Sequence, residues 1–197
     1  MNRTNKGRAI RQAGFTLMEL LIVIGVLGIL AAGLLAAIDP FEQLKKARDT
    51  NNRGATIELL SSLTRYYANH GAFPWNMTAP PAGCALATLG IDGIGTKALS
   101  VQDELLQTCL TSSVIADGEL KNTFLDGIGS THIYVGSDPD DLTDLTVCYQ
   151  PEGKAARNDS ASKYAVGGTA GAYTVIEDTA NPAVCPGLGG TCAQCFE

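Results

Sequence analysis

Gly14-Phe15-Thr16-Leu17-Met18-Glu19-Leu20-Leu21-Ile22-Val23-Ile24 opens an apolar run that continues to Ile38. Between Phe15 and Ile38, Glu19 is the only ionisable side chain. As a helix rising 1.5 Å per residue, the run spans roughly 36 Å. A bilayer core is about 30 Å thick, so the run predicts a membrane span with some tilt. A lone carboxylate at membrane depth costs free energy and marks a functional site whose partner should be named. The natural partner is an amine, and cutting after Gly14 creates one on Phe15. Two other readings compete. In the first, Glu19 lies near enough to the end of the run to snorkel to the interface, although its stem is short for that. In the second, the run is a secretory signal core, with Arg3–Arg11 as its basic region and Ala31-Ala32-Gly33 as its cut site. Signal cores are only about 7–15 residues long, and Glu19 interrupts this one.

Charge is distributed unevenly. Residues 1–14 hold Arg3, Lys6, Arg8 and Arg11 and no acid, so removing them takes the net charge from −6 to −10. A body this acidic is a poor non-specific binder of nucleic acid, because phosphate contacts need a basic surface. No direct nucleic-acid site is evident. The positive-inside count is a tie, since Lys45, Lys46, Arg48 and Arg53 follow the span as closely as the four leader cations precede it. The cysteines break the tie. Cys84, Cys109, Cys148, Cys185, Cys192 and Cys195 all follow the span. An even set on one side of a membrane fits disulfides in an oxidising compartment, with the basic tail in the cytoplasm. The pairing is open. The rival reading is a zinc site built on Cys192-Ala193-Gln194-Cys195, which needs Cys185 or Cys148 to complete four ligands.

After the span, Asp39-Pro40 interrupts helical geometry and restarts it. Proline disfavours the helical region for the residue before it and is tolerated at a first helical position. Asp39 reads as an N-cap, with Glu42 at capping-box spacing. A second helix is expected from Pro40 to about Asn69, with Asn69-His70-Gly71 as its exit and His70 as a cap residue. Leu44, Ala47, Ile57, Leu60, Thr64 and Tyr67 form its expected packing stripe, with Leu59, Leu63 and Tyr66 beside it. The boundaries are then a leader over 1–14, a membrane helix over 15–38, an amphipathic helix over 39–71 and a globular head over 72–197.

The head reads as loop-rich over 75–130, with a short helix near Val101–Leu110. Strands are expected at His132–Val135, Leu145–Gln150, Tyr164–Val166 and Tyr173–Glu177. Strands separated by turn-rich loops suggest an antiparallel sheet with the long helix across one face, an α+β fold. No catalytic constellation is present: there is no phosphate loop, zinc-protease motif or serine elbow, and His132 has no motif partner. No cofactor is implied and the chain does not read as an enzyme. Asp138, Asp140, Asp141 and Asp144 form a weak calcium candidate whose blander reading is a solvated turn.

The basic leader ending in Gly14, then Phe15-Thr16-Leu17-Met18-Glu19, an apolar helix and an amphipathic one, resembles the type IV pilins and the related pseudopilins of type II secretion. The stretch Tyr66-Tyr67-Ala68-Asn69-His70-Gly71-Ala72-Phe73-Pro74 is similar to the helix exit of many of them. The resemblance implies that a membrane prepilin peptidase cuts between Gly14 and Phe15 and methylates the amine of Phe15. It implies that Glu19 pairs with the N-terminal amine of a neighbouring subunit during assembly. At about 4 Å and an effective dielectric near 20, that attraction is about 4 kcal/mol. A buried charge left unpaired is penalised by roughly 3–5 kcal/mol, so the pair selects axial register. The family also implies the α+β architecture and cysteines that staple a C-terminal surface loop, as Cys148 and Cys185–Cys195 would here. Many of its members carry a helix-breaking proline where this chain has Ala36.

The resemblance implies these partners: identical or related pilin subunits, the peptidase, an inner-membrane assembly platform and the membrane itself before assembly. The expected function is that of a structural subunit of a pilus serving adhesion, motility or DNA uptake. The alternatives are a secretion pseudopilin in a periplasmic filament and, from another class, a membrane-anchored extracytoplasmic binding domain.

Overall fold

The structure is a computed structural model that describes residues 14–37, 39–85, 99–100, 104–128, 133–137, 143–162, 164–169, 172–177 and 192–197. The chain divides into two compact units, Met1–Pro40 and Phe41–Glu197. The first holds α1, Leu17–Ala37. The second begins in α2, Pro40–His70, whose first residue is the proline that cannot donate a backbone hydrogen bond.

The head is a six-stranded sheet flanked by helices, an α+β architecture. The strands are β1 (Leu99–Ser100), β2 (Ile133–Gly136), β3 (Thr146–Tyr149), β4 (Tyr164–Thr169), β5 (Ala172–Glu177) and β6 (Cys192–Phe196). Their spatial order is β1-β2-β3-β6-β4-β5, and every pairing is antiparallel. Among the described residues the further α-helices are α3 (Glu104–Leu110), α4 (Thr123–Ile128) and α5 (Lys154–Arg157). A π turn, Thr111–Ile115, continues directly from α3.

Strand periodicity sorts the side chains into two layers. Ile133 and Val135 of β2 and Val147 and Tyr149 of β3 join a core with Leu59, Leu63 and Tyr66 of α2. Leu106, Cys109, Leu110, Val114 and Phe124 from α3, the π turn and α4 complete that core. The intervening residues Tyr134 and Cys148 fall on the other face, with Tyr164 and Ala193. Each large apolar side chain buried in the main core contributes about 1.5–3 kcal/mol.

The packing face of α2 departs from the apolar stripe expected from sequence. Leu44 and Ile57 are exposed, and so are Ala47 and Thr64. The buried face runs Asp49, Asn52, Thr56, Leu59, Ser62, Leu63 and Tyr66. Its spacing of three and four residues is helical, but its first half is polar. Local bonding accounts for part of this. Thr56 Oγ1 donates to the carbonyl of Asn52 at 2.8 Å, and Ser62 Oγ to that of Glu58 at 2.7 Å. Hydroxyls satisfied by their own helix can be buried without a lost hydrogen bond.

At its far end α2 stops at Gly71, which has φ of +76° and donates to the carbonyl of Tyr67 at 2.7 Å. Open space surrounds its α-carbon, so the left-handed turn itself is what calls for glycine.

Two expectations for the head change. Beyond the expected helix, Thr111–Ile115 and Thr123–Ile128 are helical, not loop, because Val114 and Phe124 are drawn into the core. Cys192 and Cys195 lie in β6, which pairs with both β3 and β4, instead of in a loop. Only five residues long and bounded by cysteine, this strand carries little apolar alternation to announce it. The expected short helix is described from Glu104 onward; 101–103 and His132 lie outside the described residues.

Candidate functional site at the head of the apolar helix

Gly14, Phe15 and Thr16 precede α1 in irregular backbone, and the helix starts at Leu17. Phe15 is 81% exposed, and nothing lies within 4 Å of the position a side chain would take on Gly14. The peptide bond between them is therefore uncovered and without a side chain on its N-terminal partner. The leader cations Arg3, Lys6, Arg8 and Arg11 lie outside the described residues.

Thr16 and Glu19 cap the helix reciprocally. Glu19 N–H donates to Thr16 Oγ1 at 3.2 Å, and Thr16 N–H points to Glu19 Oε2 at 3.5 Å. This is a capping box, in which two of the four unpaired N–H groups of a helix start are turned toward side chains. A carboxylate in the first turn also complements the positive end of the helix dipole. So Glu19 has a local role beside any role with a partner. Thr16-Leu17-Met18-Glu19 carries this spacing in plain view, but the apolar run that begins at Phe15 draws attention away from it.

Beyond this cap α1 is apolar on every side. Leu17–Leu35 has a mean hydropathy of 2.5 and none of it is buried. Its length and composition suffice to cross a membrane, at about 1.5 Å per residue against a core of about 30 Å. Leu17, Ile29 and Leu35 are each more than 70% exposed. A helix apolar all round needs cover from lipid or from other helices.

In the head, the structure pairs Cys84 with Cys109 and Cys148 with Cys195. The first crosslink joins the segment after α2 to α3 inside the core. The second joins β3 to β6 at directly opposed positions. Cys192 is also disulfide-bonded, and Cys185 lies outside the described residues. The Cys192-x-x-Cys195 pair therefore offers no free thiolates for zinc. Of the calcium candidates, only Asp144 is described; Asp138, Asp140 and Asp141 are not. Ser137 Oγ donates to the Asp144 carbonyl at 2.9 Å, a turn-type contact. Among the described residues no group of three or more His, Cys, Asp or Glu is placed to hold a metal.

A cavity of about 410 Å³ lies between α2 and α5. Lys46, Arg53, Asp49 and Asp159 line it with both signs of charge, and Tyr149 and Gln194 form part of its wall. Arg53 lies over the Phe196 ring at 5.6 Å from the centroid. Burial pushes the Tyr149 phenol above its ordinary value, and the Asp49 carboxylate adds to the shift. The phenol donates to Gln194 Oε1 at 2.6 Å. This lining selects neither an anion nor a cation.

The family description "Prokaryotic N-terminal methylation motif" matches residues 10–35. The chain is 35% identical over 102 residues to a "Type IV major pilin protein PilE1" of Neisseria gonorrhoeae, covering 52% of this chain and 54% of that protein. It is 34% identical over 110 residues to a "Fimbrial protein" of Neisseria meningitidis serogroup A / serotype 4A (strain DSM 15465 / Z2491), covering 56% and 61%. The matches thus span little more than half the length of these relatives. No solved structure matches the chain. At the capped head of α1 the chain thus matches the N-terminal methylation motif, and over about half its length it is similar to type IV pilins.

Proposed function

We propose that the chain is a structural subunit of a type IV pilus, held in the membrane by α1 and then polymerised through it. The observation that carries this reading is the capped, uncovered start of α1. Gly14 and Phe15 offer an accessible bond directly before Thr16 and Glu19, at the head of an exposed apolar helix. A prepilin peptidase cuts between Gly14 and Phe15 and methylates the new amine of Phe15. Glu19 then pairs with the amine of a neighbouring subunit. The cut leaves Thr16 and Glu19 on the same chain, so the capping box survives and holds the carboxylate at the helix start until a partner arrives. The leader stays cytoplasmic and the head becomes extracellular in the filament.

The relatives named as major pilins favour a surface pilus over a secretion pseudopilus. Adhesion, motility and DNA uptake are the roles such a filament would serve. Mass spectrometry of the mature N-terminus tests the processing step, with methylated Phe15 as the expected first residue. A mature protein that retains Met1 overturns the reading. Glu19→Ala tests assembly: cleavage should persist while filaments disappear from electron micrographs. Normal filaments from that variant sink the pairing role.

A further inference from the structure

The last residue of α2 makes two contacts that a neutral imidazole cannot satisfy together. His70 Nδ1 lies 3.1 Å from the carbonyl oxygen of Tyr66, and Nε2 lies 3.2 Å from Asp117 Oδ2. A carbonyl oxygen and an ionised carboxylate only accept. A neutral imidazole has one N–H, so it serves one partner and turns a lone pair toward the other. The imidazolium donates to both. Flipping the ring is no remedy, because it would turn ring carbons toward both acceptors; the ring lies stacked on that of Tyr66, at 4.1 Å between centroids and 15° between planes. The C-terminal end of a helix also favours a cation through its unpaired carbonyls.

The group that His70 grips is a folded-back loop. The N–H groups of Asp117, Gly118, Glu119 and Leu120 donate to carbonyls of the π turn: Ser113, Ile115 and, twice, Val114, at 2.9–3.1 Å. A second anchor holds the same loop without His70. Arg65 Nε donates to Glu119 Oε2 at 2.8 Å and its terminal nitrogen to the Glu119 carbonyl at 2.6 Å. Asn69 Nδ2 donates to Glu119 Oε1 at 2.8 Å. Among the described residues, the charged or titratable groups around His70 are thus Asp117 and Glu119 from the loop and Arg65 and Tyr66 from α2. The adjoining segment 71–77 carries none.

We propose that His70 and Asp117 form a pH-sensitive latch between the end of α2 and the 116–120 loop. It is closed when the imidazole is charged and one donor short when it is neutral. The two side chains are 34% and 39% exposed, so the latch follows the pH of the surrounding medium and its effect is modest. Arg65 and Glu119 keep the loop attached in both states.

Asp117→Asn separates this device from a general effect of pH. The asparagine amide can donate to a neutral Nε2, so the variant keeps the contact where the native pair loses it. The experiment is amide hydrogen exchange on the full chain in detergent micelles at pH 5.5 and pH 8.0, corrected for intrinsic exchange. Native protection at Gly118–Leu120 should fall about two- to fivefold between the two. In Asp117→Asn it should stay level or rise. A second variant, His70→Phe, keeps the ring stack without donors. Its protection at pH 5.5 should match the native level at pH 8.0. Equal falls in the native chain and Asp117→Asn overturn the latch. So does unchanged protection in His70→Phe at pH 5.5.

Discussion

The buried carboxylate of Asp49 in α2 accepts two successive backbone N–H groups more than a hundred residues away, one of them that of Gly153. The bond from Gly153 N–H to Oδ2 is 2.8 Å, and that from Glu152 N–H to Oδ1 is also 2.8 Å. The next N–H, of Lys154, donates to Glu42 Oε1, two helical turns before Asp49 on α2. Two acids of α2 thus take three consecutive donors at the start of α5, where a helix leaves its N–H groups unpaired. Arg48 adds an exposed ion pair to Glu152 at 3.0 Å, which contributes little.

Asp49→Ala is expected to destabilise the head by about 2–3 kcal/mol, since it leaves buried donors without an acceptor. Asp49→Asn should cost less but still show, because one amide group cannot accept on both atoms. Thermal unfolding followed by circular dichroism checks both, and the order Asn milder than Ala is part of the expectation.

Gly153→Ala tests close approach instead of backbone strain. A β-carbon there would meet Asp49 Oδ2 at 2.8 Å and the backbone nitrogen of Lys46 at 3.5 Å. The backbone of Gly153 is extended, with φ of −80°, so conformation alone would admit alanine. A loss of about 1–3 kcal/mol is expected from crowding. Pairing the change with Asp49→Ala should give a smaller loss than the sum of the two, because the clash is with the side chain removed.

Replacing both Cys84 and Cys109 by alanine should lower stability by about 2–4 kcal/mol, through freedom restored to the unfolded chain. The two residues are 25 apart in sequence and both fully buried. Unfolding midpoints in denaturant, compared between oxidised native protein and the double variant, give the number.

Alkaline titration should find Tyr149 ionising above the ordinary tyrosine value. Burial is the main cause, with Asp49 adding to it and Arg53 opposing. The sign follows from proton linkage. A raised folded value means that the folded state holds the phenolic proton more tightly. The stabilisation is complete below the unfolded value near 10 and is lost as pH rises through the folded one. Ultraviolet difference spectra of tyrosinate formation measure the shift. Tyr149→Phe should remove that component and cost about 1–3 kcal/mol at neutral pH, since Gln194 Oε1 loses its buried donor.

Removing the helix cap gives a fifth test. Thr16→Ala should fray the start of α1 by about 1 kcal/mol. Faster hydrogen exchange at Glu19 in micelles, with the middle of α1 unchanged, is the expected pattern.

Much of this architecture is written in local chemistry. The apolar run from Phe15, the proline at position 40 and Gly71 after His70 each act within a few residues, so they mark α1, the start of α2 and its end. The strands around Ile133, Val147 and Tyr173 are legible for the same reason, through β-branched and aromatic residues between turns. The capping box at Thr16 and Glu19 was equally local, though masked by the hydrophobicity beside it.

The sequence by itself determined the capped apolar helix, the break before α2 and the candidate cleavage point, because dihedral preference, capping and hydropathy need no distant partner. Tertiary structure alone decided which face of α2 is buried, that Cys192–Phe196 is a strand inside the sheet, and which cysteines meet. Asp49, Asn52, Thr56 and Ser62 lie outside the apolar stripe expected from sequence, since polar groups are normally left in water. Asp49 is buried because the backbone of residues 152 and 153 supplies donors. Thr56 and Ser62 are buried because their own helix accepts their protons. A polar side chain's burial depends on a partner that can lie anywhere along the chain, and only the folded arrangement names it.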